Sequence, residues 1–546
     1  MWTQFIVQFW ILLVIALISA VLLGRYIGTY FAPVHLRKSD SLGRVEKRFL
    51  RMLGVDERKQ EQSWVGYAKS LLLVNLLFFI GGYLLLRFQG MLPFNPNGAA
   101  NLDWSTAMHT TISFMTNTDQ QHYSGEALSY LSQTFVLGTM LFVAPTMAFT
   151  VCMAVIRGLA NQPLGNFYAD FVRFIVRILF PIAFVFGLIM ILLGVPQTFG
   201  GAVTVTTLEG AKQLIYRGPV AAFEVIKQLG NNGGGFFGAN GAHPFENPNG
   251  PVNFIQMFLM LLIPMSLPIA YGKMINSAKQ GRLFLGVMTI LFIMMTFGTA
   301  GSLLANPTAH GQELRFGQIG TALYSSITTA AETGAVNAMH DSLHPLAGLI
   351  QLGNMMLNVV YGGTGAGFLN VLLYAFVAVF LTGLLIGRTP TFLGKKLETF
   401  EVKLIASTLL VPPFLILVGT AISMSVAPGL GAISNPGYHG LSQVLYEFTS
   451  ATANNGSGFE GLGDANVYWN VSTSFALFFG RYIPLILMLA IAGSLKAKPS
   501  VPQDEFSFKT DTPLFGTVFL GTIVLVGALT FLPVLVLGPV ADWLTM

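Results

Sequence analysis

The sequence has little charge and almost no cysteine. Only 10% of its 546 residues are charged, whereas about 25% are charged in an ordinary soluble protein. The one cysteine, Cys152, excludes an internal disulfide and a thiolate metal cluster. It lies in an apolar run, where we expect it to be a small buried core residue. Against these absences, 53% of the residues are hydrophobic, which indicates an integral membrane protein.

Apolar runs long enough to cross a bilayer recur along the whole chain. A spanning helix needs about 20 residues, and we predict ten such helices from the sequence. The first run starts at Met1 with no basic segment before it, so we expect a retained helix and not a cleaved signal peptide. The predicted spans are residues 5–24, 66–87, 131–157, 172–195, 253–275, 283–305, 368–387, 404–426, 472–494 and 514–538.

The basic residues collect in alternate loops. By the positive-inside rule these loops are cytoplasmic, which predicts a multi-pass protein of the bacterial cytoplasmic membrane with both termini extracytoplasmic. The segment 36–60 is expected to lie near anionic lipid, and nothing in the charge pattern indicates a nucleic-acid partner. The basic residues are Arg37, Lys38, Arg44, Lys47, Arg48, Arg51, Arg58, Lys59, Arg157, Lys279, Arg282, Arg388, Lys395, Lys396, Lys403, Lys496 and Lys498.

One unit occurs four times: a span, a short amphipathic stretch, a break rich in small and polar residues, and a second span. The short stretches are about eight to ten residues long, enough for a helix that reaches the middle of the bilayer. All four breaks lie on the outer side in the predicted topology. They read FMTNTDQQHYSGE at 114–126, QLGNNGGGFFGAN at 228–240, TTAAETGAVNAMHD at 328–341 and TSATANNGSGFEGLG at 449–463.

Irregular backbone at membrane depth survives only when it is buried in protein or lines a water-filled cavity. Four such loops therefore imply a shared polar axis. Glycine lets successive carbonyls turn toward that axis, where they can replace the hydration shell of a cation. The repeats thus predict a selectivity filter. Further oxygens or bracing hydrogen bonds are expected from Thr116, Asn117, Thr118, Asn231, Asn232, Thr333, Asn454, Asn455 and Ser457.

Long strings of the sequence resemble the family of potassium-binding subunits (KdpA) of the bacterial Kdp potassium-transporting P-type ATPase. The resemblance covers nearly the whole chain and is far more specific than a glycine pattern. It rests on NGGGFFGANGAHPFENP at 232–248, MHDS at 339–342, IGRTPTFLGKK at 386–396, NPGYHG at 435–440, ANNGSGF at 453–459 and LVGALTFLPVLVLGPVA at 525–541.

The resemblance implies an all-α membrane protein of the potassium-transporter superfamily, with four membrane–pore-loop–membrane repeats around a central filter. It also implies bound potassium, a P-type ATPase catalytic subunit and two small membrane subunits as partners, and a tunnel toward the ATPase subunit. Gln121 would modulate selectivity. The filter residues carried over by motif are Thr116, Asn117, Thr118, Asp119, Asn232, Gly233, Gly234, Thr333, Gly334, Ala335, Asn455, Gly456 and Ser457.

Two residues depart from the family pattern. Asn232 stands where the family commonly has threonine, which exchanges one polar oxygen for another. Glu332 stands beside the third filter loop, where the family has small or neutral residues. A carboxylate at this depth is costly unless it faces the cavity, so Glu332 is a candidate for modulating selectivity. The alternative is that Glu332 lies behind the filter with a hydrogen-bonded partner.

A glycine-rich break also interrupts the second helix of the third repeat. This apolar stretch runs from about 346 to 387, twice the length of a span, and YGGTGAGF at 361–368 divides it. Broken helices often line the ion path in transporters, and the resemblance favours a gate over a simple kink or packing surface. The gate candidates are Gly362, Gly363, Gly365 and Gly367.

The chemistry of hydrolysis is missing. GRTPTFLGKK has the wrong spacing for a P-loop, and the loops are too short for a nucleotide domain, so we expect no nucleotide on this chain and no enzymatic activity of its own. The histidines form no HExxH motif and no spacing typical of a transition-metal site. Potassium is therefore the only metal predicted. His122, His243 and His340 follow filter breaks, where we expect them to brace the loops through hydrogen bonds.

Three functions compete. The first is the potassium-binding, non-hydrolytic subunit of an ATP-driven uptake pump, which takes potassium from the extracytoplasmic side. The second is a stand-alone potassium channel or gradient-driven symporter. The third is a membrane enzyme, but the four repeats share no acid, base or nucleophile set.

The repeats divide the chain into six predicted parts. These are 1–60 first helix and basic loop, 61–165 repeat 1, 166–280 repeat 2, 281–402 repeat 3, 403–500 repeat 4 and 501–546 final helix.

Overall fold

The computed structural model describes residues 1–33, 40–56, 60–306, 311–387, 389–501 and 509–546. The predicted basic residues Arg37, Lys38, Arg58, Lys59 and Arg388 lie outside these ranges. The α-helices are α1 Trp2–Tyr30, α2 Ser41–Met52, α3 Trp64–Arg87, α4 Trp104–Met115, α5 Gly138–Leu159, α6 Phe167–Phe174, α7 Phe180–Leu192, α8 Val220–Leu229, α9 Gly250–Met274, α10 Ala278–Ala305, α11 Gly317–Ala330, α12 Pro345–Leu357, α13 Ala366–Ile386, α14 Thr399–Ser423, α15 Ala427–Leu430, α16 Tyr438–Ala453, α17 Val467–Ala497, α18 Pro513–Leu535 and α19 Ala541–Thr545.

Short π-helical and 3₁₀ turns join some of these helices, and two small β-hairpins interrupt the helical fold. The π turns are Ser132–Leu137, Ile175–Leu179 and Val536–Val540, and the 3₁₀ turns are Gln89–Met91, Gly125–Ala127, Asn240–Ala242 and His340–Ser342. One hairpin pairs β1 (Val203–Thr206) with β2 (Lys212–Ile215), and the other pairs β3 (Thr391–Phe392) with β4 (Lys395–Lys396).

Ten helical segments in the described part of the chain are long and apolar enough to cross a membrane, as the sequence predicts. Their ends fall within about eight residues of the predicted ends. In the span Ser132–Leu159, 89% of the most apolar 18-residue stretch is buried inside the protein, whereas in Trp64–Arg87 only 28% of that stretch is buried. The chain is therefore a multi-pass membrane protein in which α5 and α9 form the centre and helices such as α3 lie at the lipid-facing rim.

Four units of span, short helix, loop and span follow one another, and an even number of spans returns the chain to the face where it began. We call this face, which carries both termini and the four loops, the terminal face. Three of the short helices are longer than the predicted eight to ten residues. The helix α16, for example, has 16 residues, because it begins at Tyr438 in a stretch that the amphipathic pattern did not include. The short helices are α4, α8, α11 and α16.

The first helix lies closely against the centre. At Gly24 of α1 an added Cβ would lie 2.4 Å from the carbonyl oxygen of Ser266 in α9, and at Gly28 it would lie 3.0 Å from Lys273 Cβ. Small residues that allow such close approach of two helices are typical of membrane proteins. This contact fixes α1 to the second repeat.

On the face opposite the loops, charged side chains are buried in pairs. Arg157, which the sequence suggested as a loop charge, is 1% exposed in its side chain and donates from Nη1 to Asp170 Oδ1 at 3.1 Å. Arg177 of the π turn bonds Asp40 at 2.8 Å from each terminal nitrogen, which ties the start of α2 to the fourth span. This Arg177 guanidinium lowers the pKa of Asp40 below its ordinary range. The pairs anchor the basic segment to the helices.

The run that superficially resembles a P-loop forms the β3–β4 hairpin. Its two turn residues, Leu393 and Gly394, have φ of 49° and 74°, as in the tight turns that join antiparallel strands. A phosphate cradle needs a loop that leads into a helix N-terminus. The geometry of this run therefore differs from a nucleotide site.

Candidate functional site

The four short helices end in loops with the same backbone pattern. The first residue with positive φ follows each helix by one or two positions: Asn117 (63°), Asn231 (52°), Glu332 (52°) and Asn454 (57°). Asparagine adopts this left-handed conformation more readily than most residues. The second residue with positive φ comes two positions later: Asp119 (52°), Gly233 (80°), Gly334 (87°) and Gly456 (100°).

This pattern aligns the loops residue by residue. We call the residues between the two positive-φ positions layer one, and those at the second positive-φ position layer two. Layer two lines a cavity on the terminal face through Asp119, Gly334 and Gly456, so layer one lies deeper. Layer one is Thr118, Asn232, Thr333 and Asn455, and layer two is Asp119, Gly233, Gly334 and Gly456.

Backbone contacts between neighbouring loops show that the layers form a ring. Loop 2 meets loop 3, loop 3 meets loop 4, and loop 4 meets loop 1, each through a glycine that has no room for a Cβ atom. An added Cβ would lie 1.8 Å from the Thr333 carbonyl oxygen at Gly233, 2.0 Å from that of Asn455 at Gly334, and 1.8 Å from that of Thr118 at Gly456.

Asparagine side chains link the loops behind the ring. Asn117 Nδ2 donates to the Asn231 carbonyl at 2.8 Å, and Asn231 Nδ2 donates to Thr333 Oγ1 at 3.0 Å. The circle is completed by loop 4, whose Asn455 Nδ2 donates to the Thr328 carbonyl at 2.9 Å and whose Asn454 Nδ2 donates to Thr118 Oγ1 at 3.0 Å. The sequence predicted oxygens or bracing hydrogen bonds from these asparagines, and the hydrogen bonds of their amide groups agree with the bracing alternative.

The ring carbonyls themselves have no hydrogen-bond donor. Among the described residues, none donates to the carbonyl oxygens of layer one or layer two. Seven of these eight residues are buried and Gly456 is half-buried. Buried carbonyls without a partner are rare in proteins, because leaving one unpaired costs free energy. A ring of loops with such unpaired carbonyls is a candidate site for a dehydrated cation.

The other predicted filter residues lie around this ring. Thr116 Oγ1 donates to the Ser113 carbonyl at 3.0 Å, so it caps α4. Gln121 exchanges two hydrogen bonds with Gly235, of 3.0 and 2.8 Å, and so clamps loop 1 to loop 2. Gly234, Ala335 and Ser457 follow layer two. Their equivalent in loop 1 is Gln120, which the sequence analysis missed because that loop has no glycine to mark its register.

A buried charged cluster that the sequence analysis also missed supports loop 2. Lys227 Nζ donates to the Gly234 carbonyl at 3.0 Å and pairs with Glu224 at 2.8 Å. It also pairs with Glu246, and all three charged side chains are 0% exposed. The only hint in the sequence was a pair of charges within the otherwise apolar stretch VAAFEVIKQL.

Glu332 has a buried partner. Its Oε1 accepts a hydrogen bond of 2.7 Å from Arg481 Nη1 of α17, and both side chains are at most 3% exposed. The two residues line a cavity on the far side of the ring from the terminal face. This geometry supports the alternative in which Glu332 lies behind the filter with a partner.

The broken helix passes directly under the ring. Residues 358–365 separate α12 from α13, as the glycine-rich break predicts. The amide of Gly362 donates to the Ala330 carbonyl at 2.8 Å, and Thr364 Oγ1 donates to Asn231 Oδ1 at 2.8 Å. An added Cβ at Gly363 would lie 2.1 Å from Glu332 Oε2. The segment thus contacts the ends of α8 and α11.

The remaining gate candidates shape this segment. Gly365 has φ of 106° and lies where a Cβ would be 2.7 Å from the Ala148 backbone, and Gly367 lies where a Cβ would be 2.0 Å from the Gly362 carbonyl. Such tight contacts confine the loop to one path between α5 and the ring.

The cavity on the terminal face has a volume of about 460 Å³, and its lining includes several acidic side chains. The three histidines near it each make a hydrogen bond: His122 with Asn470 at 2.8 Å, His243 with the Phe245 amide at 3.1 Å, and His340 with Tyr446 at 3.0 Å. Burial lowers the pKa of His340 to about 3, so His340 is neutral. These contacts agree with the bracing role expected for the histidines.

The fold defines a class of all-α membrane protein with four similar loops that meet in one ring. It is similar to the crystal structure of the potassium transporter TrkH from Vibrio parahaemolyticus, with a TM-score of 0.55 over 90% of this chain and 98% of that chain. The sequence identity is 14%, so this likeness shows the fold alone.

The sequence shows the family. Residues 10–544 match the family model of the potassium-transporting ATPase A subunit, KdpA. The chain belongs to this family, and its function is that of the potassium-binding subunit of a Kdp ATPase. The stand-alone channel or symporter is therefore not the favoured function.

Proposed function

We propose that the eight carbonyls of layers one and two bind K⁺ taken from the cavity on the terminal face. The observation that carries this proposal is their lack of any donor among the described residues. Alternating positive and negative φ turns successive carbonyls to the same side of the chain, and rings of backbone carbonyls replace the hydration shell of K⁺. Gln121 influences selectivity by holding loop 1 to loop 2.

The terminal face is extracytoplasmic in this proposal, and the membrane is the bacterial cytoplasmic membrane. The support is the charge distribution, because the opposite face carries most of the basic residues. Those in the described part of the chain include Arg44, Lys47, Arg48, Arg51, Arg157, Lys279, Arg282, Lys395, Lys396, Lys403, Lys496 and Lys498.

The energy for K⁺ transport comes from a partner subunit. The chain acts without hydrolysing ATP, together with a P-type ATPase catalytic subunit and two small membrane subunits, as membership of the family suggests. The segment 358–365 under the ring prevents free flow straight down and directs the ion sideways toward the ATPase subunit. The glycines Gly362, Gly363, Gly365 and Gly367 serve this gate.

The test compares K⁺ binding and uptake in two glycine variants. Gly233→Ala places a methyl group against the Thr333 carbonyl, so K⁺ binding to the full-length chain, measured by calorimetry, should weaken by about 100-fold or more. ATP-dependent uptake by the reconstituted complex should fall with it. The matched control is Gly301→Ala in α10, where nothing lies within 4 Å of an added Cβ.

Two results would contradict the proposal. The first is normal K⁺ affinity in a folded Gly233→Ala protein, because the ring would then not be the binding site. The second is passive K⁺ flux through the isolated chain at the rate of the complex, which would favour the function of a stand-alone channel or symporter.

A further inference from the structure

A histidine and two carboxylates meet on the wall of the cavity on the terminal face. His122 Nε2 lies 3.1 Å from Glu447 Oε1 and 3.8 Å from Asp464 Oδ2. The ligand atoms of all three residues lie within 4.8 Å of one another. His122 and Glu447 are buried, and the side chain of Asp464 is 27% exposed. The residues come from loop 1, from α16 and from the loop before α17.

The hydrogen bonds behind His122 decide which nitrogen carries its proton. Ser105 Oγ donates to Asp103 Oδ1 at 2.6 Å and in turn accepts from Asn470 Nδ2 at 2.9 Å. Asn470 therefore presents its oxygen to His122 Nδ1, at 2.8 Å. A carbonyl oxygen can only accept, so Nδ1 carries the hydrogen. Nε2, which faces the two carboxylates, then holds either a second proton or a metal ion.

Such an arrangement needs a positive charge at its centre. The Nε2 lone pair and the two carboxylates repel one another in a buried site unless Nε2 carries a second proton or a metal cation lies between the three groups. Imidazole nitrogen with carboxylate oxygen is a ligand set of Zn²⁺, and a metal-binding histidine typically donates its other N–H to a carbonyl or carboxylate. The bond from His122 Nδ1 to Asn470 matches this second requirement.

The spacing and access also suit a metal ion. Tetrahedral Zn²⁺ with bonds of about 2.0 to 2.1 Å separates its ligands by roughly 3.4 Å, close to the 3.1 and 3.8 Å seen here. Glu447 and Asp464 line the cavity, which supplies water for an open coordination position. We propose that His122, Glu447 and Asp464 form a Zn²⁺ site on the wall of this cavity.

Zn²⁺ binding at this site does not require K⁺. If K⁺ binds at the ring, as the proposed function states, bound Zn²⁺ should affect that binding. Zn²⁺ binding adds positive charge to the cavity through which K⁺ reaches the ring. It also competes for Glu447 Oε1, which accepts a hydrogen bond of 2.7 Å from Gln120 Nε2 next to layer two. Bound Zn²⁺ takes the place of the second proton of His122 and so adds one net positive charge, which should weaken K⁺ binding by about tenfold in this polar cavity.

The test measures Zn²⁺ directly, in buffer without potassium. The full-length chain in lipid nanodiscs is dialysed against Zn²⁺, and the bound metal is quantified by mass spectrometry. Wild type should bind one equivalent, and His122→Gln and Asp464→Asn should each weaken binding by at least about tenfold. The matched control is Glu313→Gln, which removes a carboxylate from the same cavity and should bind Zn²⁺ as wild type does.

Folding is checked with the same proteins. Zn²⁺ should raise the melting temperature of wild type and of Glu313→Gln, because a ligand of the native state stabilises it, and it should leave both site variants unchanged. Wild type that binds no Zn²⁺ would overturn the proposal and leave a second proton on His122 as the cation. Equal Zn²⁺ binding by wild type and a folded Asp464→Asn protein would also overturn it. Neither result would bear on K⁺ binding at the ring, which Gly233→Ala tests separately.

Discussion

The two sides of the ring differ in the side chains and space that face it. On the terminal side lies an open cavity of about 460 Å³ with acidic walls. On the other side lies the backbone of residues 358–365, and the acidic residue there, Glu332, is paired with Arg481. The terminal side thus offers a water-accessible cavity with carboxyl groups, while on the other side the charge next to the ring is paired and backbone lies close to it. This difference gives the site a direction, although the ring itself is built from four similar loops.

We expect the largest effect when the ion pair between Glu332 and Arg481 is broken. Arg481→Met leaves Glu332 buried without its partner, which should reduce the free energy of unfolding by about 3 to 5 kcal/mol. The measurement is unfolding of the full-length chain in mixed micelles. The double variant Glu332→Gln with Arg481→Met removes both charges and should recover most of the loss. A double variant as unstable as the single one would show that Arg481 acts through other contacts.

Asp119 tests the open side. Loops 2 to 4 have glycine at its position in layer two, and neither of its carboxylate oxygens has a hydrogen-bond partner among the described residues. Asp119→Asn should weaken K⁺ binding by about 10- to 100-fold, because a bound cation favours the ionised form of this buried carboxyl group and asparagine cannot supply that charge. Calorimetry on the folded variant checks this. If Glu313→Gln, a change of the same kind farther along the cavity wall, has an equal effect, the charge of the whole cavity matters and not the position of Asp119.

Gly363 tests whether the closed side is a gate. Its φ is 38°, and a Cβ would lie 2.1 Å from Glu332 Oε2. Gly363→Ala should displace the segment and change ATP-dependent uptake by about tenfold, since the strain of such a position is of the order of 1 to 3 kcal/mol. K⁺ affinity at the ring should stay within about twofold. The control is Gly353→Ala, where the nearest atom is 3.9 Å from an added Cβ. Loss of affinity equal to the loss of uptake would argue for distortion of the ring instead.

The smallest effect concerns pH at the edge of the open side. His439 Nε2 lies 3.0 Å from Asp341 Oδ1 and its Nδ1 lies 2.8 Å from Asp542 Oδ2, so both nitrogens donate and the ring is an imidazolium. The hydrogen bond to Asp341, together with Asp542, raises the pKa of His439 above its ordinary value of 6.5.

A raised pKa means that folding favours the protonated form. The stabilisation is therefore fully present below pH 6.5 and is lost as the pH rises through the raised pKa. Wild type should lose a few degrees of melting temperature between pH 6 and pH 9 more than His439→Gln does. Parallel melting curves for the two proteins would show that this contact contributes nothing to stability.

The sequence by itself determined the membrane class, the ten spans and the four repeats. Hydrophobic runs and glycine-rich breaks are local signals, and each is set by the chemistry of a few neighbouring residues. The sequence motifs around Gly233, Gly334 and Gly456 also aligned loops 2, 3 and 4 with one another, residue by residue. The long strings were sufficient to indicate the family, which the match over residues 10–544 confirms.

Only the tertiary structure decided which residues complete the site. Loop 1 has Asp119 where the other loops have glycine, so only the backbone φ angles of the structure align loop 1 with the others and place Gln120 next to layer two. Lys227 joins Glu246 across 19 residues, Glu332 joins Arg481 across 149, and His122 joins Glu447 across 325. Spacing rules cannot find such partners, because charges that neutralise each other in a low-dielectric interior are selected by proximity in space and not by distance along the chain.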